Sequence, residues 1–445
     1  MLLCVDSMLR AAVRRALAVL AAVCVLSALS TTSTMSTLST MSTMSTLATL
    51  VTTSRLSTLP ILSASPLDEV RALWVVRTTL TSAAAIATMV KAAKAAGFNT
   101  LLVQVRGRGD AYYQGALEPR PAALTAQPEF DPLAATITRA HEAGLQVHAW
   151  INVNLVAGLD LPSAREHVIY RHPEWLMVPR QLADDLGGLD PRSPEYVGRL
   201  SRYARSRPAE LEGLYLSPVS PGAADYTVKV VRDIAERYAI DGVHLDYVRY
   251  PDEEFDYSRD TLAAFHRSLA PNLTQADERR YTERAVTEPL VYTLAFPERW
   301  RAFRTDRLTA LVADIYRTVK AVKPAAILSA AVSPDPADAA AHRLQDWPAW
   351  LDRNILDVLC PMVYTTDPSV FAAQVATARR LTGDHPLWAG IGAYRLTSDQ
   401  ITENVQAARR LGVRGMILFS YDSLTDPSRG PDYLAQIGRA AFSTQ

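Results

Sequence analysis

The stretch Asp241-Gly242-Val243-His244-Leu245-Asp246-Tyr247-Val248-Arg249-Tyr250-Pro251 alternates: Val243, Leu245 and Tyr247 are apolar, His244 and Asp246 polar. A period of two belongs to a β-strand, so the two sets face opposite sides. Just upstream, Tyr226 to Tyr238 carries Val228, Val231, Ile234, Ala235 and Tyr238 at helical spacing. In a closed parallel barrel the apolar set meets the helices while the polar set points inward. Asp246 then stands at the strand's C-terminal end, where such barrels build their active sites. A carboxylate there is costly unless it is paired or used. The segment reads as part of an enzyme.

Outward from this strand the same alternation of strand and helix recurs. Strands are expected at Arg71–Val76, Asn99–Arg106, Leu145–Asn152, Gly242–Val248, Ala326–Ser333, Asp357–Tyr364, Pro386–Gly392 and Arg414–Tyr421. Helices are expected at Ala83–Ala96, Pro132–Ala143, Tyr226–Tyr238, Trp300–Val322, Ser369–Leu381, Ser398–Leu411 and Pro431–Ala441. Gly97, Gly144 and Gly412 follow helices, as C-cap glycines do. Eight such units in one chain predict an α/β fold, a (β/α)8 TIM barrel over residues 68–442. The ordered length exceeds the ~250 residues of a plain barrel. The excess falls after strands 3 and 4, in Val153–Tyr215 and Asp252–Glu298, and both insertions should roof the active-site face.

Strand parity nominates the site. Leu101, Val103 and Val105 alternate with Gln104 and Arg106; Val147, Ala149 and Ile151 alternate with His148, Trp150 and Asn152, with Asn154 beyond. Three neighbouring strands thus aim Arg106, Asn152 and Asp246 at one mouth. Tyr364 and Tyr421 end two further strands, and Trp388 and Tyr394 flank the seventh. Rings, amides, arginine and a carboxylate suit a sugar, whose apolar face stacks while its hydroxyls bond. The plainer alternatives are that Arg106 neutralises Asp246 and that Asn152 caps a loop. Asp241 and Asp357 begin their strands and read as structural groups at the opposite, stability end. His148 and His244 read as hydrogen-bonded core residues.

Other classes are disfavoured. Lys plus Arg equal Asp plus Glu at 46 each, so no nucleic-acid footprint is expected. No His/Asp cluster has metal spacing, so neither metal nor cofactor is expected. Cys4, Cys24 and Cys360 give no disulfide framework. Residues 1–30 read as a signal peptide, basic at Arg10, Arg14 and Arg15 and then apolar from Ala16 to Leu29, with cleavage near Ala28-Leu29-Ser30. Residues 31–67 read as a low-complexity linker without charge until Arg55. The mature chain is expected to be secreted or periplasmic with no stable membrane span.

A set of segments in order resembles a known family. They are Arg71-Ala72-Leu73-Trp74-Val75-Val76, Gln104-Val105-Arg106, Phe130-Asp131-Pro132-Leu133, Val147 to Asn152, His172-Pro173-Glu174-Trp175, Leu216-Ser217-Pro218, Asp241 to Tyr247 with Arg249-Tyr250-Pro251, Trp300 with Phe303-Arg304, and Pro361-Met362-Val363-Tyr364. Together they are similar to glycosyl-hydrolase-like family ten, bacterial envelope proteins with a TIM barrel. The resemblance implies action on envelope glycans, peptidoglycan first among them. It points to Asp246 as the acidic group of strand four, with Arg106, Asn152, Tyr364 and Trp388 around it. Two departures stand out: Tyr247 follows Asp246 where many relatives have a second acid, and Leu189-Asp190-Pro191 duplicates the motif at Leu216-Ser217-Pro218.

Glycoside hydrolysis normally takes two carboxyl groups. Asp246 supplies one. Asp335 and Asp110 follow strands 5 and 2 and are the strand-end candidates for the other; Asp367, Glu253, Glu254 and Glu298 are further carboxylates near the mouth. Asn154, Tyr247, Arg249, Tyr364, Trp388 and Tyr394 complete the expected substrate-binding set. The alternative reading is a catalytically inactive glycan-binding barrel.

Overall fold

The computed structural model of the chain describes residues 69–115 and 117–442. The expected signal segment and linker lie outside the described residues. Ten strands follow one another: β1 (Val70–Val75), β2 (Thr100–Arg106), β3 (Gln146–Asn152), β4 (Leu155–Ala157), β5 (Leu214–Tyr215), β6 (Gly242–Asp246), β7 (Ile327–Val332), β8 (Val358–Val363), β9 (Trp388–Ile391) and β10 (Gly415–Phe419). The longer helices are α1 (Ala83–Ala95), α2 (Pro132–Glu142), α3 (Pro194–Arg205), α4 (Pro221–Arg237), α5 (Arg259–Leu269), α6 (Gln275–Ala285), α7 (Pro297–Val322), α8 (Pro336–His342), α9 (Trp347–Asp352), α10 (Pro368–Thr382), α11 (Ser398–Arg410) and α12 (Tyr433–Phe442). Eight strands close into a barrel, with β4 and β5 forming a separate two-stranded sheet. Each barrel pair is parallel, including the closing pair of β1 with β10. The expected TIM barrel is the fold observed.

Local chemistry sets the element ends. Asp131, Ser220 and Asp367 cap α2, α4 and α10 through their side chains, each ahead of a proline whose fixed φ suits a first helical turn. Gly97, Gly144 and Gly412 take φ of 79°, 68° and 71°, the left-handed turn that lets the chain leave a helix for the next strand. At the strand starts, Asp241 Oδ2 accepts the Val147 N–H at 2.7 Å and Asp357 Oδ2 accepts the Leu328 N–H at 2.7 Å. Each aspartate thus ties its own strand to the preceding one in the barrel, the structural role expected of them.

Two apolar layers result. Outward residues such as Leu101, Val103, Val147, Ile151, Val243 and Leu245 pack under the helices. Inward residues Ala72, Trp74, Leu102, Trp150, Cys360, Trp388 and Ile417 fill the lumen as a second cluster. The lumen is therefore a packed core with polar inserts. His244 is one: Nε2 accepts from Trp74 Nε1 at 3.0 Å and Nδ1 meets Ser329 Oγ at 2.9 Å, and burial pushes its pKa down to about 3. His148 departs from expectation, since neither ring nitrogen has a partner among the described residues; burial outweighs the pull of Asp241 and lowers its pKa to about 4.

The segments after β3 and β6 pair with each other. Tyr257 N donates to Val178 O at 2.8 Å and Arg180 N to Glu254 O at 2.8 Å. The second segment carries its own small apolar core, in which the rings of Tyr257, Phe265, Trp300 and Phe303 touch in succession and Tyr292 stacks on His266. Arg304 of α7 anchors it, its guanidinium 4.4 Å from the Trp300 ring centroid and donating to Glu253 O at 2.7 Å.

Candidate active site at the barrel mouth

Asp246 ends β6 on the lumen side, in register with Asn152 of β3. Its Oδ1 accepts the Tyr247 N–H at 2.7 Å and Arg249 Nη1 at 3.0 Å. Among the described residues both bonds fall on Oδ1, which leaves Oδ2 for a ligand. The side chain is 10% exposed. Tyr247 takes a left-handed φ of 49°, a conformation costly for a bulky residue and tolerated where the surroundings hold it. This turn brings Arg249 back beside Asp246. Burial works against the Arg249 cation most strongly of any single influence, but Asp246, Tyr247 and Tyr215 together outweigh it, and the net shift of its pKa is upward.

Around this pair lie the rings. Tyr364, just past β8, stacks on Phe419 at 5.7 Å between centroids and meets Tyr394 edge-on at 6.0 Å. Burial, and after it the nearby Asp246 carboxylate, raises the Tyr364 phenol well above its ordinary value. Tyr394 is 37% exposed, an aromatic edge open to solvent. Below them the 4%-exposed Trp150 carries an Nε1 with no partner among the described residues, a donor at the floor of the mouth.

The amides serve as braces. Asn152 Nδ2 donates to Gly107 O at 2.8 Å, and its Oδ1 accepts from Gln104 Nε2 at 3.3 Å. Asn154 Nδ2 donates to Arg249 O at 3.1 Å, which fixes the arginine facing Asp246. Asp110 Oδ1 accepts the N–H groups of Gly107 and Arg108 at 3.2 and 2.9 Å, closing the turn after β2. Asp335 is exposed and caps α8, accepting from Ala337 N and Asp338 N at 2.8 and 3.0 Å. Asp367 likewise caps α10.

Two expected mouth residues are elsewhere. Arg106 does not face Asp246: the pairing of β2 with β3 shifts between Gln104 and Arg106, and this irregularity turns Arg106 off the lumen face. It lies fully buried against Glu118, with Nε at 2.8 and 2.9 Å from the two carboxylate oxygens. Trp388 opens β9 at the barrel's N-terminal end, paired with Gly415, which itself pairs with Val70. Its indole covers Gly415, where a Cβ would come within 2.1 Å of the ring, and contacts His148 at 5.5 Å. It is lumen floor, far from the mouth.

The sequence profile described as glycosyl hydrolase-like 10 matches residues 69–387, most of the described barrel. The chain belongs to this family. This glycosyl hydrolase-like 10 chain is 25% identical over 235 residues to glycosyl hydrolase YngK of Bacillus subtilis (strain 168), covering 51% of this chain and 35% of that protein. It is 24% identical over 301 residues to glycosyl hydrolase DigH of Escherichia coli (strain K12), covering 60% of this chain and 55% of that one. The matches thus span about a third and about half of those relatives. Among solved structures, the PgaB (BpsB) glycoside hydrolase domain from Bordetella bronchiseptica superposes with a TM-score of 0.57 at 15% identity, covering 84% of this chain and 100% of that one. The catalytic domain of β-amylase from Paenibacillus polymyxa gives 0.53 at 12% identity, covering 84% and 97%. At such identities the likeness is one of fold.

Sequence parity missed several members of this family member's mouth. Glu212 lies 35 residues before Tyr247 and accepts its hydroxyl hydrogen bond. Arg108 stands 3.7 Å from the same carboxylate. Arg77 Nη1 donates to Gln104 Oε1 at 2.9 Å. Only Gln104, inward by parity, carried a signal in the sequence; Arg77 opens a short 3-10 helix, Arg108 and Glu212 lie in loops, and all three are placed by tertiary contacts.

Proposed function

We propose that the chain is a glycosidase, a secreted or periplasmic hydrolase of O-glycosyl bonds in bacterial envelope glycans, with peptidoglycan as the leading substrate class. The supporting observation is Asp246, a carboxylate at the C-terminal end of a barrel strand with one oxygen held by two donors and the other unused. Such a group can attack an anomeric carbon or take a proton. Tyr364, Tyr394 and Phe419 supply apolar faces for pyranose rings, and Trp150 Nε1 and Arg249 supply donors for hydroxyl or acyl oxygens. Membership of the glycosyl hydrolase-like 10 family accords with this chemistry.

A second reading, a glycan-binding barrel without turnover, is favoured by one observation: of the strand-end candidates for a second carboxyl group, Asp335 is an exposed cap of α8 and Asp110 closes the turn after β2, so both serve local backbone structure. Incubating the purified protein with peptidoglycan and related glycans, read by mass spectrometry, separates the two. New reducing ends are expected. Retention of glycan with no product would favour the binder, and unsaturated ends would reveal a lyase.

A further inference from the structure

We propose that Glu212 is the second carboxyl group of the site, an acid/base partner to Asp246 held in place by Tyr247 and Arg108; this rests on the glycosidase reading above. The two carboxylates belong to one chain of contacts. Asp246 is bonded to Arg249, whose guanidinium sits 4.1 Å from the Tyr247 ring centroid. The Tyr247 hydroxyl donates to Glu212 Oε2, and Arg108 lies 3.7 Å from that same oxygen and 5.9 Å from the Tyr247 ring centroid. Burial and then Asp246 push the Tyr247 phenol upward, so it stays a donor and does not compete as a nucleophile.

The parallel between the acids is in their free oxygens. Each has one oxygen engaged, Oδ1 of Asp246 and Oε2 of Glu212, and one left over. They differ in exposure: the Asp246 side chain is 10% exposed and that of Glu212 is 53% exposed. An enclosed carboxylate gripped on one oxygen suits nucleophilic attack, while an open one exchanges protons with water and with a departing sugar.

Glu212 is also placed, not merely near. Gly213 follows it with φ 151°, where a Cβ would come within 1.8 Å of Ala157 O. Only glycine lets β5 lie this close to β4, and Glu212, just ahead of it, meets Tyr247 after β6 and Arg108 after β2.

The reaction then runs in two steps. Asp246 Oδ2 bonds to the anomeric carbon as the glycosidic C–O bond breaks, and the leaving oxygen takes a proton from Glu212 Oε1. Water next attacks the anomeric carbon, gives its proton to Glu212, and displaces Asp246 as a carboxylate. The anomeric configuration is retained.

The test uses the full chain with Glu212→Gln and Asp246→Asn, on two probes. One is peptidoglycan glycan strands stripped of peptide; the other is the 2,4-dinitrophenyl glycoside of N,N′-diacetylchitobiose, whose leaving group needs no proton. Glu212→Gln should lose about 10²–10⁴-fold on the strands, keep dinitrophenolate release, and with azide form a glycosyl azide of the starting configuration. Asp246→Asn should lose both probes. Tyr247→Phe should move the alkaline limb of the pH–kcat profile to higher pH, which a purely structural role would not do. Wild-type turnover of strands by Glu212→Gln while Asp246→Asn is dead would overturn Glu212 and leave the glycosidase reading standing. Loss of both probes by Glu212→Gln without azide rescue, or an inverted product, would also overturn it. Absence of turnover of either probe by the wild-type chain would bring down the glycosidase reading and this assignment together.

Discussion

Arg106→Met should be a stability mutant and not an active-site mutant. The Arg106 and Glu118 side chains are both fully buried and meet through Nε at 2.8 and 2.9 Å and Nη2 at 2.8 Å. Arg106 Nη1 also donates to the carbonyls of Asn152 and Val153, joining β2 to the end of β3. Removing the cation leaves Glu118, among the described residues, with the Tyr226 hydroxyl at 3.3 Å as its side-chain donor. Breaking one side of a buried pair costs about 3–5 kcal/mol, because the remaining charge is stranded. Replacing both partners, Arg106→Met with Glu118→Leu, should recover most of that loss, less about 1 kcal/mol for each carbonyl left without its donor. Guanidinium denaturation followed by tryptophan fluorescence reads both variants as a shift in midpoint at unchanged slope. Glycan cleavage assayed well below the melting point should keep its KM. A single variant with wild-type stability and a raised KM would refute this placement and return Arg106 to the mouth.

Asp246→Asn should reduce turnover by on the order of 10³-fold or more, since an amide neither attacks an anomeric carbon nor takes its proton; full cleavage of peptidoglycan strands by this variant would remove Asp246 from the chemistry. Asp256 is fully buried; burial raises its pKa to about 6 against the opposing bonds from Ser217 and Thr261 and the charge of Arg304. Its folded form therefore holds a proton that the unfolded chain has lost, so its contribution is full below pH 4 and is lost as pH rises through 6, a difference of about 3 kcal/mol. Asp256→Asn should flatten that part of the stability–pH curve, and an unchanged slope between pH 4 and 7 would contradict the assignment. Trp388→Ala should cost about 3–5 kcal/mol through a lumen cavity while KM for glycan stays put; a rise in KM at unchanged melting temperature would place Trp388 at the substrate after all.

The barrel was legible because its signals are local. Strands announce themselves by a period of two, helices by caps such as Asp131-Pro132 and glycines such as Gly144, and all eight strands fall within a few residues of their expected bounds. The short helices of the long segments escaped for different reasons: α6 is mostly charged and exposed and offers no apolar stripe, whereas α5 buries Thr261, Phe265 and Leu269 at helical spacing, a pattern short enough to be passed over inside a long insertion. The mouth was half legible. Parity placed Asn152 and Asp246 correctly because β3 and β6 stay in register to their ends. It failed for Arg106, where the chain keeps alternating through Val103, Gln104, Val105 and Arg106 while the hydrogen-bond register slips. It failed for Trp388 because an inward residue belongs to floor or mouth according to which end of the strand it occupies, and the pairing of Trp388 with Gly415 decides that. The partner of Asp246 turned on the left-handed φ at Tyr247, which swings Arg249 back into reach and which nothing in that residue's identity demands. The same turn aims the Tyr247 hydroxyl at Glu212. What a strand pattern can deliver is one carboxylate on the right face; a second one contributed by a distant loop becomes visible only when the fold has brought it there.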